Sequence, residues 1–134
     1  MQIHTAGLVV IKDKKILLAF SLNKRAFYLP GGKINVGESA TQCLAREIKE
    51  ELNIDIQENQ LRYYTHITAP AYGESAGLFM EQECFLLRTL EDPKPSAEIE
   101  AIEYFDSQTY ALQPEQVPGV VMLIEQLKKE GLLN

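Results

Sequence analysis

The sequence predicts an α/β domain with a mixed β-sheet between helices, and three observations lead there. Short runs rich in Val, Ile, Leu and aromatic residues alternate with Gly, Pro and charged turns, as strands do. Two later segments carry apolar residues at helical spacing: Ala40, Leu44, Ile48 and Leu52, then Val117, Val120, Val121, Ile124 and Leu127. The 134 residues, 46% hydrophobic and 24% charged, suit one core rather than two, so residues 1–134 read as a single domain. No internal repeat, low-complexity tract or linker interrupts it.

Taken in order, residues 3–12 form an apolar run, Lys12-Asp13-Lys14 a polar turn, and Lys15 to Leu22 a second run. Two such runs about a charged turn predict a β-hairpin. Phe27-Tyr28-Leu29 is a brief strand that Pro30-Gly31-Gly32 ends as a turn. A helix opens at Ser39, whose hydroxyl can accept from the N–H of Gln42 while the Gln42 side chain reaches back, a capping box. Asn53 can close it in a left-handed conformation. Leu61 to Thr68 and Leu78 to Leu90 read as strands, separated by a loop over residues 69–77. Residues 91–96 form a polar loop, and the partial alternation of Ile99 to Phe105 favours a strand. The last helix ends at Gly131.

Charge and composition narrow the function. A formal charge of −6 argues against a nucleic-acid duplex as partner, since phosphate backbones want a basic face. A small phosphorylated ligand is compatible when a divalent metal supplies positive charge locally. Cys43 and Cys84 lack CxxC spacing and read as two buried thiols in a reducing compartment. No apolar run approaches the ~18–20 residues of a membrane span. The start, Met1-Gln2-Ile3-His4-Thr5, lacks the features of a signal peptide, so the expected location is the cytoplasm.

The sharpest signal is on the first helix. Glu47, Glu50 and Glu51 stand at i, i+3 and i+4 and share an arc of roughly 100°. Like charges at those spacings oppose the helix that carries them, which points to a cation between them, and oxygen donors suit Mg²⁺ or Mn²⁺. The arc borders the apolar side, so these carboxylates are expected at the edge of a cleft. An acidic helical run alone is a solvated face and a Gly-Gly pair alone is a turn. Their joint spacing with Glu38 and Arg46 outweighs both readings.

Residues Gly32 to Ile54 resemble the Nudix box, Gly-x5-Glu-x7-Arg-Glu-U-x-Glu-Glu-x-Gly-U with U a bulky aliphatic. Gly32, Glu38, Arg46, Glu47, Ile48, Glu50, Glu51 and Ile54 fall in place, and Asn53 stands where the family has its second glycine. Because that glycine makes a helix C-terminal turn, asparagine is a mild replacement. The resemblance implies a Nudix-type α/β/α sandwich and a MutT-like hydrolase of nucleoside diphosphates linked to another group, using Mg²⁺ or Mn²⁺. It implies Glu47, Glu50, Glu51 and the Gly31 carbonyl as metal ligands, and Arg46 as the group orienting the carboxylates. Gly32 and Glu38 then support the loop, Glu38 bracing against Arg46 or the helix start, or instead reaching a metal through water.

In some relatives a general base lies in a loop well after the box, in others it is a box glutamate. Glu98, six residues before Tyr104, leads the first type, with Glu100, Glu81 and Glu83 as alternatives. The Pro93-Lys94-Pro95-Ser96 stretch ahead of Glu98 reads as a flexible carrier. Phe27, Tyr28, Tyr72 and Phe79 are candidates to stack on a base, although an aromatic beside a strand more often packs in the core, and Lys33 is a candidate substrate-binding residue. His4 and His66 sit in predicted strands and are expected to bond locally. Pro70 and Tyr72 match two opposed family rules, for ADP-ribose and for dinucleoside polyphosphates, so neither substrate is selected. The expected partner is a small-molecule nucleotide; no duplex or membrane is expected, and a homodimer stays open. A non-catalytic nucleotide-binding or sensor module is the alternative, and a Mg²⁺-dependent assay separates the two.

Overall fold

In the computed structural model, which describes residues 2–91 and 93–134, eight strands and three helices follow one another along the chain. Met1 and Asp92, the latter in the polar loop expected at 91–96, lie outside the described residues. The strands are β1 (Gln2–Val9), β2 (Ile11–Lys12), β3 (Lys15–Ser21), β4 (Ala26–Tyr28), β5 (Gly31–Lys33), β6 (Arg62–Pro70), β7 (Phe79–Leu86) and β8 (Ile99–Phe105). The helices are α1 (Ala40–Leu52), α2 (Ser107–Ala111) and α3 (Pro118–Lys129), and a short 3₁₀ turn spans Glu58–Gln60.

The expected mixed sheet is divided in two. One sheet runs β5-β1-β7-β6, with β1 and β7 parallel and the other pairs antiparallel. The other is antiparallel, β2-β3-β4 with β8 on the free side of β3. The hairpin read from residues 3–22 is correspondingly short. Ile11 and Lys12 pair with Ile16 and Lys15, with one more bond from the Leu17 N–H to the Val10 carbonyl at 3.0 Å, because β1 joins the other sheet. Leu8, Ala6, Leu17 and Phe85 pack against Leu44, Ile48 and Leu52 of α1, while Val9, Leu18 and Ile67 belong to a core with Val120, Leu123 and Leu127 of α3. Helices therefore cover the sheets from both sides, the layering of an α/β/α sandwich.

α1 forms as its caps dictate. Ser39 accepts from the Gln42 N–H, Gln42 returns to the Ser39 N–H, and Asn53 closes the helix at φ 61°. Its last carbonyls have no partner inside the helix, and the chain supplies each one. The Asn53 N–H takes the Lys49 carbonyl at 3.1 Å, the Ser96 hydroxyl that of Glu50, the Ser96 N–H that of Glu51 at 2.8 Å, and the Lys94 N–H that of Leu52 at 2.9 Å. The stretch expected to be a flexible carrier is thus clamped to the end of α1.

Gly31 and Gly32 also depart from expectation. They are not a turn but the body of β5, opposite Gly7 and Ala6 of β1. Gly31 has φ +144°, and a Cβ there would lie 2.0 Å from the Ala6 carbonyl oxygen. No side chain fits that close a backbone approach.

Candidate functional site

α1, β5 and the loop before β8 converge on a cleft of about 430 Å³. Glu47, Glu51 and Glu98 line it together with Gly31, Gly32 and Lys33, and Tyr28, Tyr72, Met80 and Asn23 also contribute. The expected residues Glu47, Glu51, Gly31, Gly32, Lys33, Glu98, Tyr28 and Tyr72 are therefore brought to one place.

The floor is built from the contact of α1 with β5. Glu51 is 8% exposed, and its Oε1 accepts from the Gly31 N–H at 3.1 Å. Burial, reinforced by the negative charges of Glu47, Glu98 and Glu50, lifts its carboxyl to about 8 against the pull of the Gly31 N–H. Glu47 lies against Gly32, where a Cβ would stand 2.0 Å from its Oε1. Glycine at 32 is what lets this carboxylate occupy the cleft wall. Burial raises Glu47 to about 6, with Arg46 opposing and Glu50 adding to the rise.

Arg46 organises the acidic face from behind. Its Nε and Nη2 donate to both oxygens of Glu38 at 2.8 and 3.0 Å, and Nη2 also donates to the Lys33 carbonyl at 3.1 Å. Nη1 lies 3.5 Å from Glu47 Oε1 and 3.7 Å from Glu50 Oε1. The fork thereby ties the loop after β5 to the helix that carries the glutamates. Its hydrogen bonds, with the Asn35 N–H at 2.9 Å, hold the Glu38 carboxyl down to about 2.

Other expected residues stand elsewhere. Glu50 is exposed beside Arg46 and outside the cleft lining. Met80 of β7 faces the cleft, so its strand neighbours Phe79 and Glu81, and with them Glu83, face the opposite way. Phe79 is accordingly an exposed ring away from the cleft, and Glu81 and Glu83 flank His66 at 2.6 Å each. Glu100 is exposed on β8 and does not line the cleft. Phe27 is a core ring, edge-on to Phe20 and Phe105. Cys43 and Cys84 are free and buried, the first donating from beneath β5 to the carbonyls of Gly32 and Lys33.

Two further cleft residues, Lys24 and Asn23, carry no sequence motif. Lys24 pairs with Glu74 and reaches the Gly73 carbonyl at 3.3 Å, joining the β3–β4 turn to the 71–77 loop. Asn23 of the same turn donates to Glu98 Oε2. The polar run from Ser21 to Arg25 marks a turn, but nothing local tells that it leans over the cleft. Among the described residues no three His, Cys, Asp or Glu side chains already converge as a cation site.

Comparison with known proteins adds the family. A family model described as the NUDIX domain matches residues 1–125. The chain is 35% identical over 96 residues to an mRNA-decapping protein of Fowlpox virus (strain NVSL), covering 66% of this chain and 42% of that protein. It is 44% identical over 57 residues to the NAD-capped RNA hydrolase NudC of Vibrio atlanticus (strain LGP32), covering 41% of this chain and 20% of that one. The chain thus spans less than half the length of either curated relative. Among solved structures, the MutT protein from Methanosarcina mazei Go1 superposes with a TM-score of 0.75 at 20% identity, over 97% of this chain and 95% of that one.

Proposed function

This chain belongs to the NUDIX family, and from that footing we propose that it is a Mg²⁺- or Mn²⁺-dependent pyrophosphohydrolase. Its substrate is a nucleoside triphosphate or another nucleoside diphosphate derivative, cleaved at the diphosphate linkage. The observation that carries the reading is the desolvated carboxylate pair. Glu47 and Glu51, one turn apart on α1, line one cleft, and both carboxyls are raised by burial. Ionising two largely buried carboxylates side by side opposes folding, and a divalent cation between them reverses that.

The donor set fits such an ion. Glu47, Glu50 and Glu51 offer hard oxygens, and we assign them, with the Gly31 carbonyl, as its ligands. Glu50, exposed on the same arc, joins by rotation of its side chain. When bound, the ion neutralises phosphate charge and lowers the pKa of a bound water.

The remaining work falls to the protein. Arg46 and Glu38 hold the helix and the loop after β5 in register. Lys33, exposed at the cleft, meets phosphate oxygens, and Tyr28 and Tyr72 offer ring faces to a base. Glu98 accepts the proton of the attacking water as the water oxygen bonds to phosphorus. The bridging P–O bond breaks, and the leaving phosphate takes its electron pair. The −6 charge favours a small nucleotide over a duplex, and we read the chain as one domain acting in the cytoplasm. The names of the curated relatives add nucleotide-capped RNA to the candidate substrates.

The test is a panel of nucleoside triphosphates, ADP-ribose, sugar nucleotides, dinucleoside polyphosphates and capped RNA, each with Mg²⁺, Mn²⁺ or EDTA. A nucleoside monophosphate product that forms only with metal is expected for at least one class. Folded protein that binds nucleotides yet turns over none would favour the non-catalytic module.

A further inference from the structure

Glu98 is exposed at the head of β8, yet its loop is held from two sides. Toward α1, the residues just before it satisfy the carbonyls of Glu50, Glu51 and Leu52. Toward β3, the Leu22 N–H donates to the Glu98 carbonyl at 2.9 Å. These contacts fix the backbone and leave the side chain free. An exposed glutamate with three torsions spreads over many rotamers unless something holds its head. Asn23, next to the Leu22 clamp, does so: its Nδ2 donates to Glu98 Oε2, and both residues line the cleft with Glu47 and Glu51.

We infer that Asn23 is a positioning residue for Glu98, holding one carboxylate oxygen so that the other faces the attacking water. The inference rests on the reading of Glu98 as proton acceptor. The chemistry suits the task. A side-chain amide donates to a carboxylate without giving up its proton, so it orients the base and does not compete with it. Because a general base must lie within hydrogen-bond reach of the proton it takes, freeing its head lowers kcat more than it alters substrate binding.

The test is kcat and KM for wild type, Asn23→Ala, Asn23→Asp, Glu98→Gln and the double variant Asn23→Asp/Glu98→Gln. The reactions are GTP, ADP-ribose and diadenosine tetraphosphate hydrolysis at saturating Mg²⁺, read on whichever the wild type turns over fastest. Asn23→Ala should lower kcat about tenfold, the size of one modest hydrogen bond, with KM within about twofold. Asn23→Asp keeps the shape but sets a like charge against Glu98, so it should cost at least as much. In the Glu98→Gln background the same change should cost nothing further, since the group it positions is gone. Losses that multiply in the double variant, or an Asn23 effect confined to KM, would overturn the inference and make Asn23 a substrate contact. A slow Glu98→Gln beside a wild-type Asn23→Asp would overturn the inference alone. A wild-type kcat for Glu98→Gln would overturn both it and the reading of Glu98.

Discussion

Replacing Glu51 with glutamine in the metal-free protein should make it more stable, and increasingly so as pH rises. Glu51 is 8% exposed, with its carboxyl raised from 4.5 to about 8, chiefly by burial. A carboxyl raised in the folded state favours folding in its protonated form. No penalty exists below the unfolded value near 4.5, and the full penalty is present once pH passes 8. With 1.36 kcal/mol per pKa unit, the wild type is disfavoured by about 1 kcal/mol at pH 5 and about 4 kcal/mol at pH 8. Glutamine has nearly the same shape, keeps an oxygen for the Gly31 N–H and never ionises, so it escapes the penalty. For a chain of this size 1 kcal/mol moves Tm by roughly 3–4 °C. The gap in Tm between Glu51→Gln and wild type should therefore widen by about 10 °C from pH 5 to pH 8. Thermal melts in EDTA at the two pH values measure it. A gap that stays constant or narrows would refute the desolvated-carboxylate account of the cleft floor.

Other outcomes follow from the same geometry. With saturating Mg²⁺, Glu50→Gln and Glu51→Gln should each lose most turnover while circular dichroism stays native, because an amide is a poorer ligand for a hard cation. Gly32→Ala should drive Glu47 from the cleft wall and cut turnover with a modest change in Tm. Gly31→Ala, whose Cβ would meet backbone at a positive φ, should instead lower Tm sharply; paired melts and assays tell the two apart. Glu38 is held near 2, so its help to stability is present above the unfolded value near 4.5 and fades as pH falls toward 2. The effect of Glu38→Gln on kcat should accordingly be flat from pH 5 to pH 9, as a pH series of the variant's kcat relative to wild type would show.

What the sequence told in advance was what local chemistry controls. Ser39, Gln42 and Asn53 cap α1 through partners three or four residues away, and the glutamate arc depends on helical spacing alone. Ile99–Phe105 was legible from its alternation. The rest depends on distant partners. Gly31 and Gly32 carry the composition of a turn, and only pairing with Ala6 and Gly7 makes them a strand. Residues 3–12 read as one arm of a hairpin because a charged turn follows them. In the structure β1 lies between β5 and β7, and its parallel pairing with β7 leaves no turn signature. Lys24 with Glu74 and Asn23 with Glu98 are pairs whose members carry no motif. Phe79 reads as a base-stacking ring from sequence because strand alternation does not tell which face borders the cleft.

Whether Glu47 and Glu51 hold a divalent cation is read by Mn²⁺ titration followed by electron paramagnetic resonance. Titrations run at pH 8, with and without a non-hydrolysable nucleoside triphosphate. Wild type should take up Mn²⁺, more tightly with nucleotide present. Glu47→Gln and Glu51→Gln should each weaken that uptake by about tenfold or more, as loss of a charged ligand from a hard-cation site does. Equal Mn²⁺ binding by wild type and both variants would overturn Glu47 and Glu51 as cation ligands.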